Sequence, residues 1–426
     1  MKTKLFLLIA LVAQIGFGQQ RTCGMEEHMN TIMFNPVLKK QYEERQARFQ
    51  VEYQKIIERE LAKRNGNVVD NANVIIRIPV AVHYPSAGSA NATLKACLRN
   101  FAQNQVDILN ADYNATNADI ALWNDASVHY PGVNVGDLDI EFVIATQNHP
   151  ASSGLVNGEM AVTFGTDFLL NADSDLDWNG YMNFVVRNIS GGILGYSPLG
   201  GSPAAGQTVV MDNNAFASGA GCTGYVPGAP YNLGRTVTHE LGHFFNLNHI
   251  FKSASSTATN CGGADSDGIA DTPKQAAATY GCVADGSIDA CIAPEKVLSM
   301  NYMDYSNDAC MYMFTVGQKN VALAYINTIL SEYKDNVLST ASIENSNFSI
   351  YPNPNKGIFN IEFKEVVTDF TVKILDVTGK AIYDYEFSGN SDLIKEVNLN
   401  NVASRGIYFM TIKTDKDVIT KKIVIE

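Results

Sequence analysis

The chain has 426 residues, is 46% hydrophobic and carries a net charge of −13, which excludes a disordered polypeptide and leaves room for two or three structured units of roughly 150 residues each. The acidity is concentrated in residues 65–341, with ten Lys/Arg against 25 Asp/Glu, and this argues against a nucleic acid partner. No segment has the roughly 20 consecutive apolar residues that a membrane-spanning helix needs.

Taken in chain order, residues 1–18 read as a signal peptide: Lys2 and Lys4, an apolar run from Leu5 to Val12, then Gly16 and Gly18 before the cut. The mature protein is therefore expected outside the cell or at its surface, where disulfides form. Residues 19–64 read as a propeptide. It opens with Arg21-Thr22-Cys23-Gly24 and continues as a charged amphipathic run, Pro36 to Arg64, with Val51, Ile56, Ile57 and Leu61 at helical spacing. Its end, Lys63-Arg64-Asn65-Gly66, is a basic, flexible site for a processing protease.

From residue 65 to 341 the pattern mixes strands and helices. Strands are expected over Val74 to Tyr84, Asp139 to Thr146, Tyr181 to Asn188 and Gln207 to Asp212. Helices are expected over Ala92 to Asn110, around His239, and over Val316 to Lys334. The fold class is therefore α/β or α+β. Residues 342–426 differ: short alternating strands with turns at Asn355-Lys356-Gly357, Thr378-Gly379 and Ser404-Arg405-Gly406 predict a small all-β sandwich. Seven cysteines, an odd count, leave one thiol over. Cys23 stands far from the rest, and the other six permit 15 pairings.

The most informative stretch is His239-Glu240-Leu241-Gly242-His243. On a helix, residues four apart lie on one face, so two imidazoles can bind one Zn²⁺ while Glu240 takes a proton from a zinc-bound water. Zinc lowers the pKa of that water to about 7. A third histidine, His249, would lie about 9 Å along and about 240° round if the helix continued. The chain must break and fold back after His243, and Asn246 tolerates the left-handed backbone such a turn needs.

The runs HELGHFFNLNHIF, CGGADSDGIADTP and NYMDYSNDACMYMFTVGQ together resemble the pappalysin family of metzincin peptidases, a resemblance extending over about Val74 to Lys334. It implies an upper and a lower subdomain around a cleft, with His239, His243 and His249 as zinc ligands and Glu240 as general base. Met303 would form the Met-turn and Tyr305 would stabilise the oxyanion. Metzincins usually carry Gly where this chain has Asn246. The resemblance also implies disulfides Cys261–Cys291 and Cys282–Cys310, leaving Cys97–Cys222 as a third pair, and calcium on Asp265, Asp267, Asp271 and the carbonyls near Thr272. Cys23 would occupy the fourth zinc position as a cysteine switch in the latent form. Substrate would lie along an edge strand near Gly191-Gly192-Ile193-Leu194, and some relatives cut before basic residues, a preference Asp308 could serve.

The stretches IYPNPNKGIFNIEF, VKILDVTGKAIY and ASRGIYFMTIKTDKDVITKKIVIE resemble the C-terminal sorting domain of type IX secretion, which implies the secretion machinery as a partner. The function expected is a secreted zinc endopeptidase made as a zymogen and acting on protein or peptide substrates. The competing reading is a secreted adhesin or binding protein that keeps a peptidase fold. The intact set of three histidines and Glu240 stands against it.

Overall fold

A computed structural model describes residues 20–64, 75–262, 267–338, 348–363, 366–376, 379–400, 402–414 and 418–426. The expected signal peptide, the stretch after Arg64, Asp265 and the expected boundary at residue 342 lie outside the described residues. The chain forms two compact units that divide between residues 339 and 340.

The first unit opens with helices α1 (Met25–Phe34) and α2 (Pro36–Arg64). Helix α2 turns inward a face that shares only Ile56 with the apolar stripe Val51, Ile56, Ile57 and Leu61. Val51 and Leu61 are exposed, whereas Arg45 and Phe49 are buried and Tyr53 and Ile56 pack on the main core. The spacing 45, 49, 53, 56 is equally helical. What decides between the two stripes is the partner surface, helix α6, which the local sequence does not contain.

Next comes a sheet of β1 (Ile76–Tyr84), β2 (Ile140–Ile144), β3 (Val162–Phe164), β4 (Met182–Val186), β5 (Gly195–Tyr196) and β6 (Thr208–Met211), ordered β2-β1-β4-β6-β5 with β3 also on β1. All neighbours are parallel except the edge strand β5, antiparallel to β6 in the register Gly195↔Met211. Strands β1 and β4 are almost wholly buried, as expected of a parallel sheet covered on both faces.

Helix α3 (Ala92–Tyr113), capped by the Asn91 side chain on Leu94 N–H, packs between the sheet and the metal-site helix, and a short α4 (Trp123–Ala126) follows. Helix α5 (Arg235–Phe244) carries the histidines. A small parallel pair, β7 (Phe251–Ser253) and β8 (Gln275–Ala277), sits in the region beyond. Helix α6 (Val316–Ile329) starts with a Thr315/Gln318 capping box and ends five residues before Lys334, giving way to a 3-10 turn.

The second unit holds two antiparallel sheets, β13-β10-β9 and β12-β11-β14-β15, with strands Phe348–Tyr351, Ile358–Phe363, Phe370–Asp376, Ala381–Phe387, Ile394–Asn398, Gly406–Lys413 and Val418–Ile425 numbered β9 to β15. Alternate residues such as Phe359, Ile361, Val372, Ile374, Met410 and Ile412 fill its core, the arrangement of a β-sandwich.

Candidate metal centre

Every residue of α5 is buried, so its position is fixed by packing and by polar anchors. The Arg235 guanidinium pairs with Asp112 of α3 and with Asp119 (2.9 Å), Thr238 Oγ1 donates to Asp112 (2.6 Å), and Tyr113 OH donates to the Thr238 carbonyl (3.1 Å). These bonds tie the N-terminal half of α5 to α3 and orient His239 and His243 one turn apart.

After Phe244 the helix stops. Asn246 takes φ +69°, the left-handed conformation, with its N–H on the His243 carbonyl (2.8 Å) and Leu247 N–H on Gly242 (2.9 Å), a helix C-terminal turn of the kind glycine usually makes. The reversal brings His249 back to the other two imidazoles. The three Nε2 atoms stand 3.1 to 3.2 Å apart.

A cation fits this arrangement. His239 Nδ1 donates to the Tyr302 carbonyl (2.6 Å) and His243 Nδ1 to the Leu247 carbonyl (2.7 Å). With the ring proton spent on Nδ1, each Nε2 presents a bare lone pair, and two facing lone pairs at 3.2 Å repel unless a positive charge lies between them. Burial depresses all three imidazoles, His243 to about 4, so near neutrality they are uncharged rings able to act as ligands. The Cys23 Sγ completes a four-atom group whose members all lie within 4.8 Å of one another. Three imidazoles and a thiol are a donor set for zinc.

Glu240 faces the same space and is buried. The Cys23 thiol donates to its Oε2 (3.3 Å), and Ser197 Oγ holds its backbone carbonyl (2.6 Å). Burial pushes the Glu240 carboxyl up to about 8 and raises the Cys23 thiol; a bound cation acts in the opposite sense on both. Tyr305 lies with its ring against His239, His249 and Phe251, and its phenol meets the Cys23 backbone. Burial, above all, pushes that phenol upward, so it stays a proton donor.

Met303 is fully buried directly under α5, where a Cβ on Gly242 would come within 2.6 Å of its sulfur. The turn around it is fastened by Met303 N–H on Asn301 Oδ1 (2.9 Å) and by the Asp304 carboxylate, which accepts from Thr279 N (2.8 Å), Tyr305 N (2.8 Å) and Gln275 (3.0 Å).

The N-terminal segment reaches this centre along the sheet edge. Leu194 N–H donates to Thr22 O (3.0 Å) and Gly24 N–H to Gly195 O (3.0 Å), a parallel bridge between Cys23 and Gly195. Gly195 also leaves room for Glu240 against the strand, since a Cβ there would lie 2.9 Å from Glu240 Cγ. Beyond the metal position, Arg21 enters a closed pocket: its Nη2 lies 2.5 Å from Asp308 Oδ1 and its guanidinium stands 4.9 Å from the Tyr231 ring centre. The other Asp308 oxygen accepts from Leu233 N (2.8 Å) and Arg235 N (3.3 Å).

The disulfides are Cys97–Cys222, Cys261–Cys291 and Cys282–Cys310, with Cys23 free. The residues expected to hold calcium are not gathered into a group of metal-ligating side chains among the described residues. Asp271 spends its carboxylate on Thr315 Oγ1 (2.7 Å) and Gly317 N (2.8 Å) at the start of α6, and Asp267 accepts from Thr272 Oγ1 (2.7 Å). Sequence reasoning does not find the Arg21–Asp308 contact, 287 residues apart, nor the α3 anchors of α5. No local pattern carries either.

Residues 172–327 match the family model described as pregnancy-associated plasma protein-A, and residues 349–426 match the secretion system C-terminal sorting domain. An extracellular metalloprotease of Arthroderma benhamiae is 39% identical over 140 residues, covering 32% of this chain and 47% of that protein. One of Podospora anserina is 34% identical over 194 residues, covering 40% and 59%. The chain thus spans about half the length of the curated relatives it matches. Among solved structures, a promirolysin variant from Tannerella forsythia is 27% identical with a TM-score of 0.50, covering 73% of this chain and 95% of that one.

Proposed function

We propose that the chain, whose residues 172–327 match the pappalysin-type family model, is an exported zinc-dependent endopeptidase held latent by residues 19–64. The observation that carries this reading is the convergence of three Nε2 lone pairs beside a buried carboxylate, capped by a thiol from the N-terminal segment.

His239, His243 and His249 would hold the metal. Zinc, when bound, supplies Lewis acidity and brings a water to a pKa of about 7. Glu240 is placed to accept a proton from the attacking water and return it to the leaving amine. Tyr305, kept protonated, donates to the oxygen that becomes negative during attack. Met303 supports the histidines from below.

In the latent form Cys23 would fill the fourth ligand position and occupy Glu240, which excludes water. Substrate would lie along β5 in place of Thr22–Gly24. The pocket that takes Arg21 would then take the side chain after the cut bond, and a buried carboxylate under an aromatic ring favours Arg or Lys there. Export would use the signal peptide and then the type IX machinery acting on residues 342–426. We also propose calcium at the loop of Asp267 and the carbonyls near Thr272, with Asp271 given over to α6. A thermal shift on adding calcium to chelated protein would report it, and an unmoved melting temperature would remove it.

The test is cleavage of a quenched peptide pool by protein processed after Arg64, compared with Glu240→Ala, each with and without a zinc chelator. Cleavage by the unmodified protein alone, abolished by chelation, is the result expected. Folded, zinc-loaded protein that cuts nothing would overturn the proposal.

A further inference from the structure

Asn246, where metzincins usually have glycine, does more than permit a turn. Its side chain is engaged by the N-terminal segment: Gln46 Nε2 of α2 donates to Asn246 Oδ1 (2.8 Å), and Asn246 Nδ2 donates back to Gln46 Oε1 (3.2 Å). This is a closed amide pair in which each side chain is both donor and acceptor. A glycine at 246 could make neither bond.

The surroundings are shaped to the pair. Gly200 lies against it, and a Cβ there would come within 2.8 Å of Gln46 Nε2 and 2.9 Å of Asn246 Oδ1. Gly200 N–H and Gly201 N–H in turn cap the last carbonyls of α5, those of His243 and Phe244 (2.9 and 3.0 Å). Neighbouring residues of α2 hold the same patch. Arg45, buried, donates to Gly200 O (3.5 Å), Arg48 meets Glu332 (3.3 Å), and Phe49 packs on Tyr325, whose hydroxyl binds Gly201 O (2.9 Å). Helix α2 therefore grips the turn that carries His249 from outside the cleft, on a surface that does not include the metal ligands.

We propose that this patch, centred on Asn246, is a docking site for the helix Pro36–Arg64 that persists after the chain is cut behind Arg64, so that the cut segment stays bound until it is itself removed. The inference rests on the reading of residues 19–64 as a propeptide. One chain cut does not touch the Gln46–Asn246 pair, the α2–α6 packing or the Arg21–Asp308 contact. Loss of covalent linkage alone thus leaves all of them in place, and release becomes a separate step with its own affinity.

The experiment uses the full chain with Glu240→Ala, to remove self-cleavage, nicked by limited trypsin treatment at Lys63–Arg64. The affinity of the cut segment is read by gel filtration and dilution, with no reliance on peptidase activity. The cut segment is expected to co-elute with the rest. Gln46→Ala and Asn246→Gly should each weaken it about tenfold, the scale of a lost hydrogen-bonded pair of about 1.4 kcal/mol. The double variant should lose no more than either single one, because both remove the same interaction. A segment that leaves immediately on cutting, or two effects that simply add, would overturn the proposal. Since Gln46 lies outside the cleft, Gln46→Ala folds independently of the metal site and keeps the test decisive if Asn246→Gly perturbs the turn. Absence of peptidase activity in the Glu240-intact protein would refute the enzyme assignment without altering this result.

Discussion

The Arg21 guanidinium lies 2.5 Å from the Asp308 carboxylate, with both side chains withdrawn from solvent, so an arginine carried by the chain itself fills a closed acidic pocket one step from the metal position. Removing one partner of such a pair leaves a buried charge alone, at a cost of about 2–5 kcal/mol. Asp308→Asn in the processed protein is expected to cut kcat/KM on peptides with Arg or Lys after the scissile bond by roughly hundredfold, with little change for Ala. Equal loss across the peptide panel would mean that Asp308 serves the fold and not recognition.

Cys23 touches the metal position and Glu240 at once. Cys23→Ala is expected to raise the activity of the uncut precursor on a quenched peptide, although the rest of the segment still occupies the cleft. A precursor as silent as the unmodified one would assign latency to the Arg21 and α2 contacts instead.

Gly242 faces the Met303 sulfur with no space for a methyl group. Gly242→Ala should destabilise the catalytic unit by about 1–3 kcal/mol through overpacking and weaken zinc binding, because the strain falls between the two elements that set the His239 ring. Denaturant unfolding and a competitive zinc titration measure the two effects, and an unchanged zinc affinity would separate packing from ligation.

Removing the metal should act on the fold as well as on activity. Lone pairs from His239 and His243 face each other at 3.2 Å, so chelated protein is expected to melt at a lower temperature and regain its stability with zinc. Glu240→Ala should keep the zinc-dependent melting shift while losing cleavage.

His83, buried between Phe168 and Trp178, has its pKa pushed down by burial from 6.5 to about 4. Below pH 6.5 the unfolded chain takes up a proton that the folded one refuses. Stability is therefore fully present above pH 6.5 and falls as pH drops towards 4, by up to about 3 kcal/mol. Denaturant midpoints across this range should show the slope, and His83→Gln should flatten it.

The convergence of His239, His243 and His249 is legible because its pattern is written at short range: a four-residue helical spacing, then a residue able to reverse the chain. Strands β1, β2, β4 and β6 are legible for the same reason, as apolar runs, whereas the three-residue β3 and two-residue β5 are too short to carry such a pattern. What the sequence concealed depends on distant partners. Of the apolar residues Val51, Ile56, Ile57 and Leu61 on α2, Ile56 packs on the core whereas Val51 and Leu61 are exposed, and Phe49 and Tyr53 take the inward face. Asp271 has the look of a cation ligand, yet its carboxylate accepts from the Thr315 hydroxyl and the Gly317 amide that open α6. Gln46 carried no signal at all until the fold set it against Asn246.

An odd set of seven cysteines cannot all pair, and the one left over is the one whose sulfur meets the three imidazoles. Oxidative folding and concealment of the centre are thereby joined. A wrong bridge through Cys23 would strand one of the six paired cysteines elsewhere and withdraw the sulfur from Glu240 in the same act.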